Sequence, residues 1–135
     1  YMHTPPYPVR PPEWMLERKI YQFIPLVEAG EEALFLDAMP HCTHTRWHPK
    51  GVDIIPVGEG KAAGIRATLE VYGLKREEIV AFGDGVNDLS MLALAGTSVA
   101  MGNAVQVVKD QADYVTDTVE EDGVSKALRH FGLLP

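Results

Sequence analysis

Asp84, Asn87 and Asp88 crowd into the middle of Ile79–Leu92, "IVAFGDGVNDLSML", directly after an apolar run. Carboxylate and amide oxygens are hard donors, suited to Mg²⁺ and to the phosphoryl groups that accompany it. The apolar run reads as a buried strand, and sites in open parallel sheets form beyond the carboxyl ends of strands. Gly83 and Gly85 flank Asp84, so the backbone can turn tightly and a ligand can come close. Asn87 and Asp88 open the next predicted helix, where unpaired N–H groups and the helix dipole favour anions. An isolated Asp-Gly pair is a turn, and an Asp at a helix start is a cap. The full "GDGVND" after a buried strand reads instead as a site for Mg²⁺ and phosphate.

Two neighbouring motifs fail on spacing. A calcium-binding EF-hand counted from Asp84 would need an oxygen ligand where Val86 stands, glycine at Leu89 and glutamate at Ala95. "GEGK" at 58–61 would need glycine at Ile55 and Ser or Thr at Ala62 to be a phosphate-binding loop.

The elements that must position these residues follow from apolar periodicity and breakers. Lys61–Tyr72 puts Ala62, Ile65, Leu69 and Tyr72 on one helical face, with Gly73 as its stop. Strands are predicted at Ile79–Phe82, Ser98–Met101 and Tyr114–Thr116. Helices are predicted at Asp88–Ala95, Ala104–Lys109 and Glu120–Phe131, the last closed by Gly132. Strands alternating with helices imply right-handed crossovers and a parallel sheet covered on both faces.

Upstream, residues 1–12 hold five of the ten prolines and read as an extended arm. A short helix is expected at Glu13–Lys19, and Lys19–Val27 reads as a strand interrupted by Pro25, which marks an edge strand or a strand end. Glu31–Asp37 fits either strand or helix. Thr43–Trp47 and Val52–Ile55 form a hairpin about a His-Pro-Lys-Gly turn. The fold class is therefore α/β: residues 1–57 a Pro-rich arm and β-rich segment, residues 58–135 an α/β portion on a parallel sheet, which the resemblance given next implies to be the C-terminal half of a Rossmann-like core.

"GDGVNDLSMLALAG", "VAMGNA", "VKDQADYVT" and "EDGV" together resemble the C-terminal end of the haloacid dehalogenase superfamily. The closer resemblance is to its Cof-type, class IIB, sugar-phosphatase-like branch, which carries an α/β cap inserted in a Rossmann-like core. The likeness runs over about Val52–Leu133, and "DIIPVGEGKAAGI" is similar to the segment bearing that family's lysine. It implies that Asp84 ligates Mg²⁺ directly, and that Asp88 holds the metal through water or orients Asp84. Asn87 contacts the phosphoryl group or the cap, and Lys61 pairs with the phosphoryl oxygens and the nucleophile. Without the resemblance, Lys61 is a solvated lysine at a helix start. The N-terminal third is similar to the last strands of such a cap. "GDGxND" is shared with cation-pump phosphorylation domains and phosphoserine-phosphatase relatives.

The family's chemistry also needs an Asp-x-Asp-x-Thr nucleophile loop and a Ser/Thr motif. The aspartates are 37, 53, 84, 88, 110, 113, 117 and 122, and none is followed two residues later by another. The strand that carries the nucleophile would lie beside Ile79–Phe82, so an open sheet edge is expected there. The chain is therefore expected to be a C-terminal fragment or a truncated homologue, whose edge is covered by a homo-oligomeric partner, by the missing N-terminal half or by a local rearrangement. The chain alone is expected to be inactive, for want of a covalent route.

Composition narrows the remaining classes. A net charge of −7 excludes a non-specific nucleic-acid binder, which needs a basic face. The lone Cys42 cannot make an intrachain disulfide and fits a reducing, cytoplasmic setting. No apolar run reaches membrane-spanning length, and no apolar leader stands in the Pro-rich start. His41, Cys42, His44 and His48 could hold zinc or copper, but a solvated or substrate-facing strand fits them better. Trp47 is expected to serve packing. Three functions follow: a Mg²⁺-dependent phosphatase of a small phosphorylated metabolite such as a sugar phosphate, a non-catalytic binding or assembly module on the same fold, and a pump phosphorylation domain. The last needs membrane spans and a phosphorylatable loop that the sequence lacks.

Overall fold

In the computed structural model, which describes residues 8–135, the apolar runs at 80–83 and 97–100 become adjacent parallel strands. β3 (Val80–Gly83) pairs with β4 (Thr97–Ala100), Val80 opposite Thr97 and Gly83 opposite Ala100. β4 in turn pairs with β5 (Tyr114–Val115), giving the order β3-β4-β5. Val99 and Ala100 are fully buried, as the central strand of a covered sheet requires. Helix α4 (Leu89–Leu94) returns the chain from β3 to β4, and α5 (Gln106–Lys109) from β4 to β5. Ala81, Leu92, Ala95, Ala100, Met101, Ala104 and Val108 form one cluster, with Ile79, Phe82 and Leu89 packed around it. Alanines dominate it, so these short helices lie close to the sheet.

A second, two-stranded sheet stands upstream. β1 (Cys42–His48) and β2 (Gly51–Pro56) form the expected antiparallel hairpin, with a register irregularity between Arg46 and His48. Short helices α1 (Glu13–Leu16) and α2 (Ala33–Ala38) precede it, which settles the ambiguous stretch at 31–37 as helical.

Three expectations are corrected. Lys19–Val27 is not a regular strand: a single bridge joins Phe23 to Ile54, and the carbonyl of Pro25 accepts the Val52 N–H at 3.3 Å. Proline can accept but not donate, so the pairing is one-sided there, and it resumes with the Val27 N–H on the Lys50 carbonyl at 3.1 Å. The last helix does not run from Glu120. A 3₁₀ turn (Val119–Glu121) gives way at Asp122, which has φ 59°, and α6 spans Gly123–His130. The first residue of α6 has no room for a side chain: a Cβ on Gly123 would lie 2.1 Å from the Asp117 carbonyl oxygen. Finally, α3 (Lys61–Tyr72) forms as expected and ends on Gly73 at φ 65°, but its apolar face buries no residue, and Tyr72 is 73% exposed. Of the Pro-rich arm, residues 1–7 lie outside the described residues.

One sheet edge bears on function. The Thr97 N–H bonds to the Ile79 carbonyl and the Met101 N–H to that of Gly83. By parallel-ladder alternation, Val80 and Phe82 direct their backbone groups away from β4. Among the described residues no strand meets them. No helix of the described residues is long and apolar enough to cross a membrane.

Candidate active site

The site is assembled at the carboxyl edge of the three-stranded sheet. β3 ends at Gly83, and the chain enters a 3₁₀ turn (Val86–Asp88) that leads into α4. This turn folds Asp88 back over the loop, and the residue is only 4% exposed. Its Oδ2 accepts the N–H of Asp84 at 2.9 Å and of Gly85 at 3.1 Å. Its Oδ1 accepts a short hydrogen bond from Lys61 Nζ. A buried carboxylate must be paired and hydrogen-bonded, and Asp88 satisfies both demands within this loop. Burial pushes its carboxyl up, but the Lys61 hydrogen bond, the two N–H groups and the Lys61 charge outweigh that effect. The net result holds the carboxyl below its ordinary 3.8.

Gly83 is required by close approach. A Cβ there would come within 2.6 Å of the Asp88 Cβ. At Gly85 a Cβ would come within 2.6 Å of Asn87 Oδ1. The two glycines thus let the loop wrap around the Asp88 and Asn87 side chains.

Asp84 behaves differently. It is exposed, and its Oδ2 accepts from Asn103 Nδ2 at 3.2 Å. Asn103 is itself held by its Oδ1, which accepts the Val119 N–H at 3.2 Å. Lys109 Nζ donates to the carbonyl of Gly102 at 2.6 Å and fixes the loop that carries Asn103. The sequence reading left Asn103 out of the site. Its signal was its place: it follows a glycine just past β4, as Asp84 follows Gly83 just past β3.

The structure therefore brings Lys61, Asp84, Asn87 and Asp88 to one edge. Lys61, Asp84 and Asp88 line a groove of about 550 Å³ that continues along Phe82 and Met101. Asn87 and Asp84 line a second cavity, of about 750 Å³, whose opposite wall is the β1–β2 hairpin. Trp47, His48 and Asp53 belong to that wall. Trp47 is not the packed residue expected: it is 49% exposed, and its indole N–H donates to Asp53 Oδ1 at 2.9 Å.

The donor set suits a hard divalent cation in part. Asp84 offers an exposed carboxylate, while both oxygens of Asp88 are committed to Lys61 and the loop. Mg²⁺ characteristically takes one or two carboxylates and completes its shell with water and phosphate oxygens. Among the described residues no three His, Cys, Asp or Glu side chains converge on one point. This bears on the hairpin histidines too: His44 Nε2 lies 3.7 Å from Glu32, and His48 Nδ1 accepts the Lys50 N–H at 3.1 Å.

A carboxylate-bearing loop after a parallel strand, backed by Lys61 at the start of the preceding helix α3, suits phosphoryl-transfer chemistry. The family of haloacid dehalogenase-like hydrolases matches residues 16–128. YkrA of Bacillus subtilis (strain 168) is 41% identical over 117 residues, 87% of this chain and 45% of that protein. YcsE of the same organism, a 5-amino-6-(5-phospho-D-ribitylamino)uracil phosphatase, is 45% identical over 89 residues, 66% of this chain and 36% of YcsE. The structure of the subclass IIB sugar phosphatase BT4131 superposes with a TM-score of 0.81 at 42% identity, covering 90% of this chain and 47% of that one. The chain belongs to the haloacid dehalogenase-like hydrolases, in their Cof-type, class IIB branch. It spans about half the length of these relatives or less.

Proposed function

We propose that this chain supplies the metal-binding and phosphate-binding half of a Mg²⁺-dependent phosphatase acting on a sugar phosphate or a similar small phosphorylated metabolite. The observation that carries this reading is the buried Asp88, whose two oxygens gather Lys61 and the Asp84 loop at the strand ends. Haloacid dehalogenase-type phosphatases generally use Mg²⁺, which screens the phosphoryl charge when bound. Asp84 presents its carboxylate to the ion, steered by Asn103. Lys61 holds its ammonium at the phosphoryl oxygens and is kept there by Asp88. Asn87 faces the cavity between core and hairpin, where the rest of the substrate would lie.

The covalent step needs an aspartate that these residues do not provide in an Asp-x-Asp-x-Thr loop. That aspartate would sit on a strand pairing with the free edge of β3 along the Phe82–Met101 groove, contributed by a partner or by an N-terminal segment. The chain by itself then has no turnover.

Calorimetric titration with inorganic phosphate, with and without Mg²⁺, tests the site. Phosphate is expected to bind more tightly with Mg²⁺, and Asp84→Asn to remove that enhancement. Phosphate binding indifferent to Mg²⁺ in the wild type refutes the metal site. Sustained Mg²⁺-dependent hydrolysis of p-nitrophenyl phosphate by this chain alone refutes the missing nucleophile.

A further inference from the structure

We infer that Lys109 is a positioning residue for the Mg²⁺ site: its ammonium raises the affinity of the site for a cation, without being a ligand, by holding Asn103 against Asp84. The inference rests on the metal site proposed above. Asp84 stands between two glycines, so its own backbone does little to aim it. Its aim comes from the loop after β4. The Val105 N–H donates to the Asp84 carbonyl at 3.1 Å, and Asn103 Nδ2 donates to Asp84 Oδ2 at 3.2 Å. Asp84 Oδ1 carries no hydrogen bond among the described residues, so the Asn103 bond commits one oxygen and leaves the other for a ligand.

Asn103 is exposed, and what fixes it is the backbone before it. Gly102 is gripped at both of its polar groups: its N–H donates to the Asp117 carbonyl at 3.0 Å, and its carbonyl accepts from Lys109 Nζ at 2.6 Å. A Cβ on Gly102 would lie 2.7 Å from the Thr118 nitrogen, so glycine is what lets the loop lie flat on the Asp117–Thr118 backbone. The Gly102 carbonyl belongs to the planar peptide that leads into Asn103, so Lys109 sets the base on which the Asn103 side chain stands. Lys109 closes α5, and its chain runs back toward the loop, the direction in which helical side chains lean. Val108 beside it is fully buried and anchors the helix. A charged donor makes a strong hydrogen bond, and a long side chain gives up its rotamer freedom to form this one.

Charge alone argues for the opposite effect. An ammonium beside the site repels Mg²⁺ and attracts phosphate. Field and positioning therefore differ in sign. If Lys109 acts by its charge, its removal tightens Mg²⁺ binding and weakens phosphate binding. If it acts through Asn103, its removal weakens Mg²⁺ binding and leaves phosphate, taken alone, as it was.

The chain has two asparagines, so the Asn103 side-chain amide pair is readily assigned in a ¹⁵N spectrum with Asn103→Ala. Wild type, Lys109→Met, Lys109→Arg, Asn103→Ala and the Lys109→Met/Asn103→Ala double variant are each titrated with MgCl₂ alone and with inorganic phosphate alone. In metal-free Lys109→Met the Asn103 amide pair is expected to move toward the position of a solvent-exposed amide. Losing the hydrogen-bond partner of a metal ligand costs about 10–100-fold in metal affinity, and Lys109 stands one bond further out. Lys109→Met is therefore expected to lose about three- to tenfold in Mg²⁺ affinity, with phosphate affinity within about twofold of wild type. Lys109→Arg keeps a donor for the Gly102 carbonyl and is expected within about twofold of wild type for both ligands. In the Asn103→Ala background, Lys109→Met is expected to cost Mg²⁺ nothing further, whereas a contribution to stability alone would not depend on Asn103. Mg²⁺ affinity that is unchanged or raised in Lys109→Met, or a loss that persists in full without Asn103, overturns the inference and leaves the Mg²⁺ site standing. A wild-type spectrum that does not respond to Mg²⁺ overturns the proposed metal site and this inference with it. Amide spectra unchanged away from the Asp84 and Asn103 loops certify that the variants are folded, and Lys109→Gln supplies the same comparison if the methionine variant does not fold.

Discussion

Replacing Lys61 by methionine isolates the charge at the centre of the site. Met matches Lys in length and helix propensity, so α3 keeps its start. The Asp88 side chain is 6% exposed and loses the one charged partner it has among the described residues, while two backbone N–H bonds remain. Removing one member of a fully buried pair costs about 3–5 kcal/mol, and an exposed pair is worth about 0.2–1 kcal/mol. Lys61 is 48% exposed, which puts this pair between the limits, at about 1–2 kcal/mol. Removing a cation from a helix start returns about 0.3–1 kcal/mol. The net expectation for Lys61→Met in urea unfolding at neutral pH is a loss of about 1 kcal/mol. A double-mutant cycle with Asp88→Asn removes the dipole contribution and is expected to show a coupling of about 1–2 kcal/mol. The pH dependence gives a second check. The folded carboxyl of Asp88 lies below 3.8, so its ionised pairing stabilises above that value and is lost as pH falls through the depressed folded value. The gap between wild type and Lys61→Met should therefore close on acidification below 3.8. Zero coupling, or a gap that persists after both proteins have taken up that proton, refutes the reasoning.

Three more perturbations test neighbouring parts of the account. Gly83→Ala should destabilise by about 1–3 kcal/mol in urea unfolding, because the new methyl group meets Asp88 at 2.6 Å and overpacks the loop. Asp122→Gly should stabilise by about 0.5–1 kcal/mol in the same assay, since the left-handed backbone at φ 59° penalises a Cβ. Asp113 is held below 3.8 by the Ser98 hydroxyl at 2.7 Å and the Ser98 N–H at 2.8 Å, which clip β4 to the entry of β5. That stabilisation is present above 3.8 and lost as pH falls through the depressed folded value, so Asp113→Asn should flatten the acid limb of the stability curve.

The α/β portion was legible because its signals are local. An apolar run, a glycine pair and a helix start fix Asp84, Asn87 and Asp88 at a strand end before any contact is known. The hairpin was legible for the same reason, through its turn residues. What escaped depends on contacts between segments distant in sequence. Asn103 joins the site because β4 lies beside β3, and the helix expected from Glu120 starts only at Gly123, which packs on the Asp117 carbonyl. Periodicity placed Ile65, Leu69 and Tyr72 on one face of α3, but an apolar face is buried only where something packs against it. Pro25 marks an interruption, but not that the strand shrinks to a single bridge from Phe23 to Ile54 with the Val27 N–H still bonded to the Lys50 carbonyl beyond it. Trp47 looked like packing because its indole, half open above Gly51 and tied to Asp53, is defined only once the hairpin register is set.

The most direct test of the central claim is amide chemical-shift mapping of this chain during titration with Mg²⁺ and inorganic phosphate together. The account predicts that the largest shifts fall on Asp84, Gly85, Asp88 and Asn103, and that Asp84→Asn abolishes the Mg²⁺-dependent part. Shifts that cluster on His41–His48 instead, or a spectrum of Asp84→Asn that responds as the wild type does, would contradict it.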